Sequence, residues 1–385
     1  MEFNPSRYIL QLFPAYLCTM GALLLCTLFL VVTLALLGVE LRRYSTLRKA
    51  LTHHQVPVQN GPQHPPVSLI VAAHNAAHQL EQNLASWLEQ DYPSFEVIVV
   101  NNGSADASEK LLKTWQERYS EKVRVLHLPE ANKKKALAAG IAQAKNECLV
   151  FTDADGQPAS KYWLQAMGEK LQTWDVVLGF APLRGTGFTG ALSRWETWQT
   201  ASLYFSAVFE NRAYMGVGRN LAYRKSLFYK VGGFKNHEQL RSGDDDLLVQ
   251  AAQKAEARIG AQITTESFVY SAASGNLKEW WRQKRRHFST ARFYNQNDRL
   301  RLGTTAALQL LFYLLFLACL FYSGTLALVV FLLRCLLHFF TARKLAAHFK
   351  SSEVLSLFPL FEFFWVVAAL ALQGQNALLG KPKKW

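Results

Sequence analysis

Between Ile9 and Val39 the sequence has no charged side chain, and between Leu302 and Leu333 it again has none. About 20 apolar residues span a bilayer core, so these stretches exclude an ordinary soluble enzyme, a disordered protein and a collagen-like chain. Cysteine is scarce as well. There are five, and Cys18, Cys26, Cys319 and Cys335 lie in the apolar ends, which leaves Cys148 alone between them. A disulfide framework is thereby excluded, no CxxC or Cys/His spacing points to zinc, and the usage suits a reducing compartment. Acidic residues are the minority, 28 Asp+Glu against 42 Lys+Arg, for a formal charge of +14. Such an excess is also compatible with nucleic acid. Here the bases gather beside the apolar ends, where membrane lipids with anionic headgroups account for them more simply, so no nucleic-acid partner is expected.

What is present divides by hydropathy, which the mean of +0.01 conceals. Residues 1–41 read as a transmembrane anchor, too long for a signal h-region and without a small-residue cleavage site. Residues 42–66 read as a linker, rich in Pro, Gln and His from His53 to Pro66. Residues 67–275 form the main domain, 276–301 an amphipathic interfacial segment, and 302–385 a membrane region of two or three helices. Arg42, Arg43, Arg48 and Lys49 follow the first span, whereas Arg7 stands against Glu2 before it. The positive-inside rule then puts residues 42–301 in the cytoplasm of a multi-pass inner-membrane protein. Residues 302–341 accommodate two helices with a tight turn at Ser323-Gly324. The stretch Val354 to Leu379 contains Pro359 and Glu362 and precedes Lys381, Lys383 and Lys384. If it crosses, that tail lies outside, against the rule; a re-entrant path is the alternative.

In the main domain short apolar runs alternate with helical stretches. Val67 to Ala73 and Phe95 to Val100 read as buried strands, the second leading into Asn101-Asn102. A helix (107–119), a strand (123–128), a helix (133–144) and a strand (147–152) follow. That alternation implies an α/β, doubly wound parallel sheet, whose ligands sit at the carboxyl ends of the strands.

Chemistry-bearing residues fall at such ends. The fourth strand runs out into Asp153-Ala-Asp155-Gly, two carboxylates at i and i+2 that suit Mg2+ or Mn2+ shared with substrate phosphates. A turn capping the next helix is the bland reading of a bare DxD. Asp244-Asp245-Asp246 opens a further helix, where acids also serve merely as cap and first turn. Three like charges side by side raise at least one pKa, and a carboxylate so raised suits a general base. Trp280-Trp281 through Phe288 and Ala191 to Glu210 mix aromatics with bases at helical spacing, as in helices lying in the headgroup plane. An arginine among them facing the DxD would neutralise a leaving diphosphate.

Taken in order, "VSLIVAAHN", "LEQDYPSFEVIVVNNGSAD", "NKKKALAAGIAQAKNECLVFTDADGQP", "GRNLAYRKSLFYKVGGF", "SGDDDL" and "QKRRH" resemble a membrane-anchored family 2 glycosyltransferase. The resemblance implies a GT-A fold, Rossmann-like and doubly wound, with flanking transmembrane helices. It implies that Ala73, His74, Asn101 and Asn102 border the nucleobase of a nucleotide-diphosphate sugar and that Lys133, Asp153, Gln283 and Arg286 belong to the donor site. Asp155, with Asp153, would hold Mg2+ or Mn2+, and Asp245 would be the base of an inverting transfer to a hydroxyl of a lipid-linked or other membrane-associated acceptor, in cell-envelope glycan or glycolipid synthesis. Three departures stand out: Asn101-Asn102 replaces an acidic loop, Ala76 a frequent Glu, and His287 the Trp of Q-x-x-R-W. A processive polysaccharide synthase is the alternative activity. A haloacid-dehalogenase-type phosphatase also uses DxD, but after its first strand. An inactive membrane scaffold is the non-enzyme alternative, opposed by the joint presence of Asp153, Asp155, Asp245 and Arg286.

Overall fold

The computed structural model describes residues 5–53, 64–240 and 242–379, with the side chains of the first helix from Met20 to Thr52. Most of the expected linker, the side chain of Cys18 and the tail lysines Lys381, Lys383 and Lys384 lie outside the described residues. Helix α1 (Pro5–His53) continues through residues read as linker. It does so because Tyr44, Leu47 and Ala50 are apolar and pack into the core of the main domain.

The domain begins with β1 (Val67–Ala73), α2 (Ala77–Leu88), β2 (Phe95–Asn102), α3 (Ser108–Arg118), β3 (Val123–Leu128), α4 (Lys133–Gln143) and β4 (Cys148–Asp153). It continues with β5 (Gln157–Pro158), α5 (Trp163–Lys170), β6 (Val176–Gly179), β7 (Leu183–Arg184), α6 (Gly187–Phe209), β8 (Leu221–Arg224), α7 (Lys225–Lys230), α8 (Asp246–Lys254), β9 (Ile259–Gln262) and β10 (Val269–Ala272). Seven strands form one sheet in the order β3-β2-β1-β4-β8-β6-β9. The runs in β1 and β2 are apolar throughout because helices cover both faces, and Val67 to Val71 and Val97 to Val100 are buried. The sheet is mixed rather than wholly parallel: β8 runs antiparallel to both β4 and β6. Asn220, wholly buried, fixes the entry to β8. Its Nδ2 donates to the carbonyls of Phe180 and Ser267, and its Oδ1 accepts from Trp163 Nε1.

Beyond the domain come α9 (Leu277–Ala291), α10 (Gln296–His348) and α11 (Phe358–Leu379). The element α10 is two helices broken at Ser323, whose φ of −153° is non-helical. Phe316 stacks on Phe331 at 4.7 Å between ring centroids, so the chain folds back there, as expected at Ser323-Gly324. Phe29 of α1 packs against Phe312 and Phe316. Among the described residues three helices, Met20–Thr52, Gln296–His348 and Phe358–Leu378, are long and apolar enough to cross a membrane.

One expectation needs correction. Trp195, Trp198 and Trp280 do not face outward as headgroup anchors; each is buried. Trp198 stacks on Tyr44 of α1 at 6.0 Å, and Trp280 lies against Phe364 and Trp365 of α11. Their spacing marks helix–helix packing, which leaves the same sequence signature as interfacial anchoring.

Candidate active site

The carboxyl ends of β1, β2 and β4, the start of α4, the loop before α8 and one face of α9 meet in one place. At its first edge Ala73 ends β1 in register with Asn101. His74 is exposed, and its Nδ1 donates to the Asn102 carbonyl at 2.8 Å. Asn101 and Asn102 are buried and already employed: Asn101 Oδ1 accepts from the Ser104 N–H, and Asn102 Oδ1 accepts from the Asn132 N–H at 2.7 Å. The two amides therefore shape the loop and the entry to α4. Asn132 in turn caps α4, accepting from the Lys135 N–H, and this places Lys133 on the first turn.

Lys133 joins the two acidic motifs. Its Nζ lies 2.9 Å from Asp153 Oδ1 and 3.1 Å from Asp244 Oδ2. Burial alone would lower the Lys133 pKa, but Asp153, Asp244 and Asp245 together hold it above the usual lysine value. Burial likewise works to raise Asp153, and the Lys133 ammonium, with Arg219 and Arg286 behind it, brings that carboxyl below its usual range. Asp155 shifts the other way. It is raised by burial and by the charge of Asp153, which Arg219 only partly offsets. The turn carrying it is held from α2, where Asn83 Nδ2 donates to the Ala154 carbonyl and Trp87 Nε1 to the Gly156 carbonyl. Among the described residues there is no group of three or more His, Cys, Asp or Glu that would cage a metal alone. The pair Asp153 and Asp155 does fit a divalent cation completed by substrate oxygens, since a cation would reverse the repulsion that raises Asp155.

The three adjacent acids are separated by their partners. Asp244 pairs with Lys133. Asp246 accepts from the Tyr294 hydroxyl at 2.5 Å. Asp245 is held by backbone, its Oδ2 accepting from the Gly218 N–H and its Oδ1 from the Asp246 N–H, both at 2.8 Å. Burial, then the neighbouring Asp244, pushes the Asp245 pKa up, and Lys133 offsets this only partly. The loop can present them this way because Gly243 has φ +84°, and a Cβ there would lie 2.9 Å from both Leu247 Cδ1 and Thr290 Cγ2.

Helix α9 closes the site. Its Arg286 faces Asp244, Asp153 and Asp245, and Gln283 accepts from the Ser274 hydroxyl at 3.3 Å. His287 is exposed. Between them Lys284 points the other way into a buried ion pair with Glu196 of α6, which fixes the rotation of α9 about its axis. Ser242 meets Thr290 at 2.6 Å, so the acid loop and α9 are tied together.

Residues 68–232 match the family described as Glycosyl transferase family 2. They are a family 2 glycosyltransferase domain. Over 267 residues the chain is 24% identical to the Probable glycosyltransferase YdaM of Bacillus subtilis, covering 64% of this chain and 59% of that relative. It is 28% identical over 185 residues to the glycosyltransferase AglE of Haloferax volcanii, covering 47% of this chain and 59% of AglE. The chain thus spans about three fifths of the length of these relatives. Among solved structures, the mannosyltransferase PcManGT of Pyrobaculum calidifontis, in complex with GDP-Man and Mn2+, superposes with a TM-score of 0.59 at 19% identity, covering 93% of this chain and all of that one. The fold of the glycosyltransferase domain is that of the GT-A enzymes.

Two cations of this site were not singled out from the sequence. Arg219 follows Gly218 and faces both Asp153 and Asp155, with its Nη2 donating to the Ala181 carbonyl at 3.2 Å. Lys134 is buried under the acid loop, its Nζ 2.8 Å from His237 Nδ1 and 2.6 Å from the His237 carbonyl oxygen. The adjacency of Gly218-Arg219-Asn220 to an apolar strand was the available signal for the first. For Lys134, inside a run of three lysines, the sequence carried none.

Proposed function

We propose that this chain is an inverting glycosyltransferase that moves a sugar from a nucleotide-diphosphate sugar to a hydroxyl of a lipid-linked or otherwise membrane-associated acceptor. The observation that carries the reading is the single ammonium of Lys133 shared by Asp153 and Asp244, which brings the donor-side DxD and the acid motif of the acceptor side within one side chain's reach. The glycosyltransferase domain and the GDP-Man and Mn2+ named for its structural neighbour support a nucleotide-sugar donor and a divalent cation.

In this reading the nucleobase lies along His74 and the Asn101-Asn102 loop. Asp245 takes the proton of the acceptor hydroxyl as its oxygen bonds to the anomeric carbon, while the bond from that carbon to the diphosphate oxygen breaks on the opposite face. The anomer is inverted. Arg286, Arg219 and Lys133 face the negative charge that develops on the departing diphosphate. Asp155 and Asp153 would hold a divalent cation, which would supply further positive charge there. The raised pKa of Asp245 suits a base, which works best with a pKa nearer the operating pH.

The three long apolar helices support a membrane location, and the basic residues after α1 support a domain on the cytoplasmic side of a cell inner membrane, where nucleotide sugars are available. Arms enough for a water-filled sugar path are lacking in one copy of the described chain, since polar hydroxyls do not cross hydrocarbon unsatisfied. A transfer of one or very few sugars is therefore favoured over a processive synthase. The test is a screen of nucleotide sugars with the detergent-solubilised protein, followed by mass spectrometry of products formed in native membranes. Metal-dependent donor hydrolysis and a single glycosyl addition to extractable lipid are expected. A ladder of many sugar units would overturn the non-processive reading, and absence of any donor binding would overturn the enzyme reading.

A further inference from the structure

Helix α11 has 22 residues, which at 1.5 Å per residue is long enough to cross a bilayer core. Its contacts follow a different path. At its start Phe358 stacks on His338, and Glu362 accepts from Arg334 Nη1 at 2.7 Å and from Tyr313 at 2.9 Å. Arg334 also donates to Glu40 of α1 at 2.8 Å. This end is therefore locked to α1 and α10 one turn from Tyr44, which stacks on the domain. Phe361 and Phe364 then pack on Phe188 of α6, and Phe364 and Trp365 on Trp280 of α9. At the far end Trp281 Nε1 donates to Gln375 Oε1 at 2.9 Å, and Arg285 Nε to Asn376 Oδ1 at 3.1 Å.

The partner on which α11 rests decides its depth. Helix α9 carries Lys278, Glu279, Arg282, Lys284, Arg285 and Arg286, and charges of that density do not enter hydrocarbon. From Phe364 to Asn376 a helix advances about 18 Å. Directed across the bilayer it would bury Asn376 past the middle of a core of about 30 Å; instead Asn376 touches Arg285. The opposite face of α11 is apolar and open: Leu360, Val367, Leu370 and Leu378 are 55%, 51%, 49% and 86% exposed, at spacings that form one helical stripe, while Phe363 beside them packs on Tyr313 of α10.

We infer that α11 is an interfacial helix, lying with this stripe in the boundary between headgroups and acyl chains, and that it does not cross the membrane. The inference rests on the reading of α1 and the two arms of α10 as spans. Among the described residues the chain then crosses by those three arms, and α11 ends on the side of the glycosyltransferase domain, where the positive-inside rule wants the lysines that follow it in the sequence. Because α11 holds α9 through Trp281 and Arg285, the bilayer surface supports the helix that presents Gln283 and Arg286.

The test uses the full chain in nanodiscs of phosphatidylcholine and phosphatidylglycerol, with single fluorophores at Leu360→Cys, Val367→Cys and Leu378→Cys in a background without native cysteines. Nitroxides at the headgroup are expected to quench all three more strongly than nitroxides deep in the acyl chain. A gradient with Val367 at the bilayer centre would overturn the inference. Should the cysteine-free chain fail to fold, an epitope after Trp385 and one inserted at Asn236 are compared in sealed vesicles with all native cysteines kept. Protease is expected to remove both from the same side, and removal from opposite sides overturns the inference. If both are removed together from the outer face, α11 stays interfacial and it is the cytoplasmic orientation that falls.

Discussion

Asp245 Oδ2 lies 2.8 Å from the backbone nitrogen of Gly218, so the acid expected to act as base is oriented by main chain rather than by a basic side chain. Its neighbours are differently committed, Asp244 to Lys133 and Asp246 to Tyr294. The three acids, indistinguishable as a sequence run, thereby have three different partners: the Lys133 ammonium, the main chain at Gly218, and the Tyr294 hydroxyl.

Asp245→Asn is expected to lower turnover by about a hundredfold or more, the usual worth of a positioned base, with nucleotide affinity little changed. Asp246→Asn should instead lower the melting temperature, because it weakens the Tyr294 bond. The acidic limb of the pH–rate profile should lie above the ordinary Asp value of 3.8, since burial and Asp244 raise Asp245. A mild Asp245→Asn beside a severe Asp244→Asn, each assayed for turnover and binding, would reassign the base.

Metal dependence is the expectation at Asp155. Its carboxyl is raised by burial and by Asp153, a repulsion that a divalent cation relieves. EDTA is expected to abolish donor hydrolysis and Mg2+ or Mn2+ to restore it, while Asp155→Asn should stay inactive at saturating metal and keep its thermal unfolding profile. Full activity in excess EDTA would refute the assignment.

The positions of the two acidic motifs were legible, Asp153 and Asp155 at the end of β4 and Asp244 to Asp246 at the opening of α8. The apolar runs of β1 and β2 were legible as strands of a parallel core buried on both faces. Burial of the tryptophans was not, because a Trp-rich amphipathic helix reads alike whether its partner is lipid or another helix. Nor was the use of Asn101 and Asn102 as loop braces, since an amide in a strand-end loop serves a ligand or a backbone N–H equally well. Pairings such as Lys134 with His237, and Lys284 with Glu196, depend on tertiary neighbours that no local pattern encodes.

The Lys134–His237 contact carries a pH prediction. Burial and then the Lys134 charge lower His237 from 6.5 to about 4, so the folded state binds fewer protons there than the unfolded state between those values. Its contribution to stability is complete above pH 6.5 and is lost progressively as pH falls toward 4. Burial also lowers Lys134 to about 8, so stability should rise further as pH increases from 8 toward 10.5. Hydrogen exchange of residues 236–246 is expected to speed up between pH 6.5 and 4 relative to the sheet, after correction for the intrinsic rate. In His237→Asn that extra pH dependence should vanish; if it persisted, another group would be responsible.

Arg219 yields the most specific expectation. Its guanidinium faces Asp153 and Asp155 from the strand β8 side, while Arg286 faces Asp153 from α9, so the two arginines flank the DxD from different elements. The buried Asn220 next to it makes three side-chain hydrogen bonds, and Arg219 Nη2 itself donates to the Ala181 carbonyl at 3.2 Å, which tethers the guanidinium. In the proposed reading a guanidinium in this position would face the diphosphate and not the base or ribose, and a charged hydrogen bond is worth about 1.5–3 kcal/mol, roughly ten- to a hundredfold in affinity. Arg219→Met is therefore expected to weaken binding of a nucleoside diphosphate by that factor and to leave the corresponding monophosphate nearly as before, so that the preference between the two collapses. Calorimetry with UDP and UMP, and with GDP and GMP, on the purified full chain reads the ratio directly. Equal losses for mono- and diphosphate would mean that Arg219 merely supports the loop through the Ala181 carbonyl, and an unchanged ratio with unchanged affinities would remove it from the donor site altogether.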